Sequence, residues 1–366
     1  MIGRVSDDAR SGDLVEVIGK DGETFGWGLW NASSNMPLRI VRHGDEPWTE
    51  EDFLQAIAEA GRLRRELFHL DAETDAYRAV HGDADRLPGL VADKFGDVMS
   101  IEVTALAAWQ RLDAWVPALH AAFGTERAHI CVDPKLAQVE RIPAKRHALH
   151  DESVRKVKVS EYGRVFEIDF ARGHKTGFFC DQRENRHLFG ELAAGRSVLD
   201  LCCYSGGFSV HAAGAGAREV QAVDLDEEAV AMAQRNANLN RAKVKFTHAD
   251  AFTWARTMVE NGRTWELVMV DPPKFVFDRE DEKGRGKYHD LNKLAAQLVA
   301  PGGFLVTCSC SGLLNEFEFE KLVTTAVHKL GRRLQIVRRT GAGPDHPTLS
   351  NYPESRYLKV IWGRVW

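Results

Sequence analysis

Apolar runs of strand length recur through the second half of the chain and alternate with stretches of helical period. The strand candidates are Ser197–Cys202, Glu219–Val223, Lys243–Phe246, Glu266–Val270, Gly303–Cys308, Arg333–Arg338 and Arg356–Ile361, with helices fitting between most of them. This alternation predicts a parallel sheet covered on both faces, an α/β Rossmann-like architecture. The last two strands have no helix between them, which predicts an antiparallel hairpin at one edge. The first half reads differently. Residues 12–42 alternate as short strands around a turn at Lys20-Asp21-Gly22-Glu23, the pattern of a small β-barrel. Residues 49–69 carry helical periodicity, with Thr49 as N-cap, Asp52 in the first turn and Phe53, Ile57, Leu63 and Leu67 near one face. Arg62, Arg64 and Arg65 lie beside that face and read as solvated. Residues 77–132 form a mixed α+β segment, with strands after Pro88-Gly89, at Val98–Val103 and at His129–Val132, and a helix over about 107–123.

Composition narrows the class without naming a function. The chain has 366 residues, 44% hydrophobic and 28% charged, which excludes a disordered, collagenous or disulfide-stapled protein. No run approaches the roughly 18 apolar residues of a membrane helix. Met1 to Ser11 hold Asp7 and Asp8 and no apolar core, so no secretory signal is expected and the cytoplasm is the expected compartment. The six cysteines, Cys131, Cys180, Cys202, Cys203, Cys308 and Cys310, show no C-x-x-C spacing, and no metal site is expected.

Val198 to Phe208 carries the first chemistry. A buried strand, Val198-Leu199-Asp200-Leu201, runs into the small-residue turn Cys202-Cys203-Tyr204-Ser205-Gly206-Gly207 and then a helix beginning at Phe208. Glycines there let backbone approach a ligand, and the helix start supplies free N–H groups. The G-x-G-x-x-G dinucleotide fingerprint is missing, which argues against a nicotinamide dehydrogenase. Asp200 at the strand end would repel a pyrophosphate and suits a cationic ligand such as S-adenosylmethionine, with its sulfonium and ammonium. Asp224 ends the second strand, placed for the ribose hydroxyls, and Asp250 follows the third, placed for the adenine amino group. Ser205, Ala251 and Pro273 complete the candidate cofactor-lining set.

The fourth strand ends in Asp271-Pro272-Pro273-Lys274-Phe275, a stiff extended turn that can hold a polar side chain against a flat ring. An acid before two prolines after this strand is typical of methyltransferases acting on nucleobases. The fifth strand ends in Thr307-Cys308-Ser309-Cys310-Ser311-Gly312, which brings a cysteine opposite Asp271. Carbon-5 of a pyrimidine becomes nucleophilic when a thiolate adds to carbon-6, so a cysteine and an acid together suggest covalent catalysis.

The chain resembles the RlmI-type 23S rRNA (cytosine-C5)-methyltransferases. The stretches that carry the resemblance are Tyr77-Arg78 with Gly82 and Asp85 to Gly89, Gly173 to Phe179 running into Asp181-Gln182-Arg183 and Arg186, and Tyr204 to Phe208. Val223-Asp224, Asp271 to Phe275, Gly286-Tyr288-Asp290-Asn292, Ser309 to Leu313, Asp345-His346-Pro347, Tyr352-Pro353-Glu354 and Tyr357-Leu358-Lys359 continue it. The resemblance implies a PUA-like barrel at residues 1–48 (short at its N-terminus), a linker helix at 49–70, a small α+β domain at 71–160 and a methyltransferase domain at 161–366. It implies methylation of a 23S rRNA cytosine, cytosine 1962 in the family's reference numbering, with S-adenosylmethionine as cofactor. The family motif matches Cys310 as nucleophile, while Cys308 sits where related RNA enzymes place theirs. The family's arginines near Val132 to Ile142 are not matched, since Asp133, Lys135, Glu140 and Arg141 stand there.

Lys175 to Arg186 is expected to cover the cofactor, with Phe178 against adenine and Lys175 and Arg183 toward RNA phosphate. Lys274 and Lys287 are candidate RNA contacts beside the catalytic turn. The expected partner is 23S rRNA, free or in an assembling large subunit, with a homodimer admitted and no membrane. Two other readings stay open: a 23S rRNA guanine methyltransferase without a covalent step, and a non-catalytic RNA-binding assembly factor. The net charge of −5 hides an asymmetry. Residues 1–50 carry five basic and nine acidic residues, whereas 135–158 carry seven and three and 329–366 eight and two. Patches, not totals, steer association with a polyanion.

Overall fold

The computed structural model describes residues 2–170, 177–352 and 355–366. Its packing divides the chain into two compact units. The first comprises Met1–Ser160, Ile168–Cys180 and Pro344–Pro347, and the second Glu161–Glu167, Asp181–Gly343 and Thr348–Trp366.

In the first unit, β1 (Leu14–Ile18), β2 (Thr24–Trp30) and β3 (Leu38–His43) form an antiparallel three-stranded sheet. Among the described residues this sheet does not close into the barrel expected from the sequence. Three strands of this length cannot satisfy their own edges or bury a core alone. Leu29 and Val41 instead join one continuous core with the helices and strands that follow. Helix α1 (Glu50–Arg62) begins as expected: Thr49 accepts from the Asp52 amide and the Asp52 side chain accepts from the Thr49 amide, a reciprocal capping box. Its buried face, Phe53, Ala56, Ile57 and Ala60, belongs to the same core. A second sheet has the order β4 (Ala76–His81), β5 (Leu90–Phe95), β6 (Val98–Val103), β7 (Arg127–Cys131). Helix α2 (Leu106–Phe123) covers it and ends at Gly124, whose left-handed φ of 66° closes the helix. A short helix, α3 (Pro134–Glu140), follows β7. Strand β4 has no counterpart in the sequence expectations.

Arg64 corrects the reading of a solvated basic face. It is fully buried, and its guanidinium makes two 2.7 Å hydrogen bonds to the Asp85 carboxylate and one of 2.8 Å to the Asp345 carbonyl. A π turn at Leu63–Leu67 widens the helical step where Arg64 sits, which turns that side chain inward.

A two-stranded hairpin, β8 (Lys156–Glu161) and β9 (Arg164–Asp169), carries the chain from one unit to the other. The second unit is a seven-stranded sheet. It consists of β10 (Ser197–Leu201), β11 (Glu219–Asp224), β12 (Lys245–His248), β13 (Trp265–Val270), β14 (Val299–Ser309), β15 (Leu334–Thr340) and β16 (Lys359–Val365). The order is β12-β11-β10-β13-β14-β16-β15, with β12 to β14 parallel and β16 antiparallel to both neighbours. The expected terminal hairpin at one edge is present, with β16 on its inner side.

Helices α4 (Arg183–Ala193) and α5 (Gly207–Gly214) pack on one face, with Phe189, Phe208 and Ala212 against Val198, Leu267 and Trp362. Helix α6 (Glu227–Leu239) lies beside α5 and β11. Helices α7 (Ala251–Glu260), α8 (Glu282–Leu298) and α9 (Glu316–His328) cover the other face, with Ala255, Leu291 and Phe319 against Leu199, Val268 and Leu305. Among the described residues, no helix is long and apolar enough to cross a membrane.

Removing one partner of a buried ion pair strands the other charge. Arg64→Met is therefore expected to lower the unfolding free energy by about 3–5 kcal/mol. A denaturant titration checks this, and a loss below about 1 kcal/mol would place the Asp85 carboxylate in contact with solvent.

Candidate active site

The chain leaves β10 to one side for β11 and later returns to the other side for β13, so the sheet order reverses between β10 and β13. In open α/β sheets, ligands bind outside the carboxyl ends of the strands at such a reversal. Four of the expected acids stand at that edge. Asp200 lies in β10, Asp224 ends β11, Asp250 follows β12 and Asp271 follows β13. Burial, and then Asp224, Asp271, Asp200 and Asp250, drive the pKa of the Cys202 thiol well above its ordinary value. The sequence reading did not single Cys202 out as part of the site.

The turn between β10 and α5 has an unusual backbone. Cys202, Tyr204 and Gly206 all have left-handed φ values, of 64°, 46° and 78°. Two of the three are not glycine, which is uncommon and strained. The turn is held from several sides. The Cys202 and Cys203 amides donate to the Val223 carbonyl, the Tyr204 amide donates to the Asp224 carboxylate at 2.7 Å, and Asn236 Nδ2 donates to the Ser205 carbonyl. Gly206 lies so near Ala233 that an added Cβ would sit 3.0 Å from the alanine methyl, and on Gly207 it would meet Arg186 Cδ at 2.5 Å. Arg186 is fixed in turn by two bonds to the buried Glu161 carboxylate, which also meets His211 Nε2 at 3.1 Å. Burial opposes the charge on Glu161, but Arg186 and His211 outweigh it and hold its pKa down at about 2.

The acids differ in how they are satisfied. Asp200 is fully buried: Oδ2 accepts from the Ser209 amide and hydroxyl, while Oδ1 has no hydrogen-bond partner among the described residues. Burial pushes its pKa up to about 7, with Asp224 adding to the rise and Ser209 resisting it. Asp224 accepts from the Tyr204 and Asp226 amides. Asp250 caps α7 through Oδ1, accepting from the Thr253 amide and hydroxyl, and the buried Ala251 opens that helix. The Asp271 amide donates to the Leu201 carbonyl, which ties β13 to β10 at the edge. Asp271 is raised to about 7 by burial, then by Asp181 and Asp200, against the 3.1 Å bond from Gln182 Nε2.

The two candidate cysteines are placed differently. Val270 pairs with Thr307, so Asp271 and the Cys308–Cys310 segment leave adjacent strands at the same edge. Cys308 is fully buried among Met269, Val306 and Val360, and burial followed by Asp271 drives its thiol pKa far upward. Cys310 is half-buried, just beyond the end of β14. Gln182 donates to Asp271, and Asn185 Nδ2 donates to the Gln182 side-chain oxygen at 2.7 Å. Gln182 lies in a stretch that carries the family resemblance, but no chemistry in the sequence marked it as a partner of Asp271.

The candidate RNA contacts divide. Lys274 and Lys287 are exposed at or near the Asp271–Phe275 turn, their ammonium groups 5.4 Å from the Phe277 ring and 5.6 Å from the Phe275 ring. Arg183, expected to face phosphate, is fully buried, and its Nε donates to Glu184. It opens α4, and a guanidinium with no exposed surface is not a contact for RNA in this conformation. Phe178 is buried in the first unit, and Lys175 lies outside the described residues. Pro273 is exposed in the turn after Asp271.

A profile of S-adenosylmethionine-dependent methyltransferases matches residues 103–354. A ribosomal RNA large subunit methyltransferase I from Shewanella denitrificans is 33% identical over 98% of this chain and 91% of its own length. The chain belongs to this family of S-adenosylmethionine-dependent methyltransferases. Two solved structures share the fold of this methyltransferase at 20% identity. A methyltransferase complexed with SAH matches with a TM-score of 0.83, over 98% of this chain and 92% of the other. A SAM-dependent methyltransferase from Streptococcus mutans matches at 0.82, over 98% and 93%.

The strand-end residues of this methyltransferase fit its cofactor. A ligand with sulfonium and ammonium charge and no phosphate suits an edge of carboxylates, one of which keeps a buried oxygen without a hydrogen bond.

The raised acids set a pH dependence for the ligand-free enzyme. Asp200 and Asp271 titrate near 7 when folded, above about 4 when unfolded. The folded chain binds more protons in that window, so stability is expected to fall as pH rises from about 4 through 7. Asp200→Asn removes one of the two contributions and is expected to flatten the fall. Thermal melts between pH 4 and 8 check it, and an unchanged slope in the variant would mean that Asp200 ionises freely in the folded state.

Proposed function

We propose that this methyltransferase transfers a methyl group to carbon-5 of a cytosine in 23S rRNA, the family's cytosine 1962, with Cys310 as nucleophile and Asp271 orienting the base. The carrying observation is the meeting of a near-neutral carboxyl with a half-buried thiol at the ends of adjacent strands β13 and β14. The relatives, ribosomal RNA large subunit methyltransferases, support the large-subunit rRNA as substrate. The contrast between the cysteines supports Cys310, because the burial and carboxylates around Cys308 oppose a thiolate there.

In this reading Asp200, Ser205 to Phe208, Asp224, Asp250, Ala251 and Pro273 hold S-adenosylmethionine. The bound cofactor supplies an electrophilic methyl group. Cys310 adds as thiolate to carbon-6 of the cytosine, and the displaced electron pair makes carbon-5 enamine-like. Asp271, near neutrality, donates a hydrogen bond to the N3 side of the ring and absorbs the charge that builds there. Carbon-5 takes the methyl group and then loses its proton to water, which restores the 5,6 double bond and expels the Cys310 thiolate. Gln182 keeps Asp271 turned toward the ring. Lys274 and Lys287 contact RNA phosphates, and Phe277, 69% exposed beside Lys274, is open to an unstacked base. Action on rRNA places the enzyme in the cytoplasm.

Cys310→Ala is expected to abolish methyl transfer to 23S rRNA from a deletion strain, while Cys308→Ala keeps it within about tenfold. Bisulfite sequencing reads the outcome. RNA carrying 5-fluorocytosine, which has no carbon-5 proton to lose, is expected to trap a thiol-linked adduct with the wild type but not with Cys310→Ala. Methylguanosine without an adduct would replace this reading with the guanine enzyme. Asp271→Asn is expected to lower the rate by about 10²–10⁴ while leaving the fold intact.

A further inference from the structure

We propose that Lys359 is a positioning residue that holds Cys310 as a thiolate, its buried ammonium acting as counter-charge to the sulfur. The proposal deepens the reading of Cys310 as nucleophile and rests on it.

Lys359 begins β16, the strand between β14 and β15, and is only 5% exposed. A lysine in the middle of a sheet cannot extend its ammonium to water, and burying the charge is costly unless it has partners. The partners shown are neutral. Nζ donates to the Ser311 carbonyl at 2.6 Å and to the Tyr357 carbonyl at 2.8 Å. The nearby acids of α9 pair elsewhere, Glu318 with Arg285 and Glu320 with Arg339. An ammonium has three protons, and the bonds to the two carbonyls use two.

The geometry brackets Cys310. Lys359 pairs with Ser309 across the β14–β16 ladder, and its ammonium reaches the carbonyl of Ser311, so the lysine touches the residues on both sides of the cysteine. Burial draws the Lys359 pKa down to about 8, and Cys310 is the strongest influence in the opposite direction, ahead of Glu316 and Glu318 of α9. The other groups at this corner are Tyr288 of α8, Cys308, Asp181 and Asp271. The Tyr288 hydroxyl is 3.0 Å from Ser311 Oγ and, raised to about 12, stays neutral. Asp181 accepts from the Tyr357 hydroxyl at 2.7 Å. The carboxylates oppose a thiolate, and Lys359 supplies positive charge against them. When the Cys310 thiol gives its proton to solvent, a positive charge is already held at the carbonyl of the next residue, Ser311. An apolar residue in β16 would pack as well, but the thiolate would then form against the carboxylates alone.

The test measures the thiol directly. Wild-type chain and the Lys359→Met and Lys359→Arg variants are alkylated with iodoacetamide between pH 5 and 10, and Cys310 modification is followed by peptide mass spectrometry. In the wild type the midpoint is expected clearly below the value of about 8.5 for a free cysteine. Lys359→Met is expected to raise it by about one unit, with the rate at pH 7 falling about tenfold, while Lys359→Arg retains the wild-type midpoint. Circular dichroism confirms that each variant is folded. A wild-type midpoint at or above that of a free cysteine overturns the proposal without any variant, and so does an unchanged midpoint in folded Lys359→Met. The two readings fail separately. Methyl transfer retained by Cys310→Ala removes the nucleophile assignment, while the alkylation profile reports only on the charge beside the sulfur.

Discussion

Four carboxylates gathered at one edge of a parallel sheet, two of them raised to near neutrality, are the constraint on which the second unit depends. Carboxylates so arranged repel each other and resist burial, so the backbone must hold them where side-chain preference would not. It does so with a strained turn. Left-handed Cys202, Tyr204 and Gly206 bend the chain sharply between β10 and α5, and the turn's amides are spent on Val223 and Asp224. Behind it, the Glu161–Arg186–His211 cluster stops the glycine turn from relaxing backward. A cationic ligand relieves the repulsion, which gives a physical reason for the cofactor to bind at this edge rather than elsewhere on the sheet.

The same edge separates two thiols two residues apart. Strand alternation sends Cys308 into the packed interior against Met269 and Val360, whereas Cys310 lies beyond the last ladder pair, where the chain turns off the sheet. Burial opposes a thiolate at Cys308, whereas Cys310 follows the end of β14, opposite the start of the antiparallel β16. The chemistry proposed for the site depends on this change of direction, because a parallel neighbour would not begin opposite the point where β14 ends.

Much of this was legible in the sequence, for stated physical reasons. Strands such as Val198–Leu201 and Leu267–Val270 are buried on both faces, so they read as continuous apolar runs and were found within a residue or two. Thr49 with Asp52 announced α1 because capping is a local interaction. Strand order was not legible: nothing in the apolar pattern of Lys359–Val365 says that it inserts between two earlier strands. Arg64 and Lys359 were missed for a related reason. A charged side chain is read as solvated unless its partner is known, and the partners here are distant in sequence, Asp85 and Asp345 for one, Ser311 for the other. The N-terminal alternation suggested a barrel because strand period reports which face is buried, not what covers it.

The place of β16 also bears on how the enzyme is made. Of the seven strands it is synthesised last, yet it sits inside the sheet, with β15 joined to the rest only through it. As the chain emerges, β14 is therefore left with an open edge, and β15 has no partner until residues 359–365 arrive. The parallel core can form early, but the thiol's surroundings are assembled by the final insertion. A nascent chain can in this way display the carboxylate edge before the surroundings of Cys310 exist.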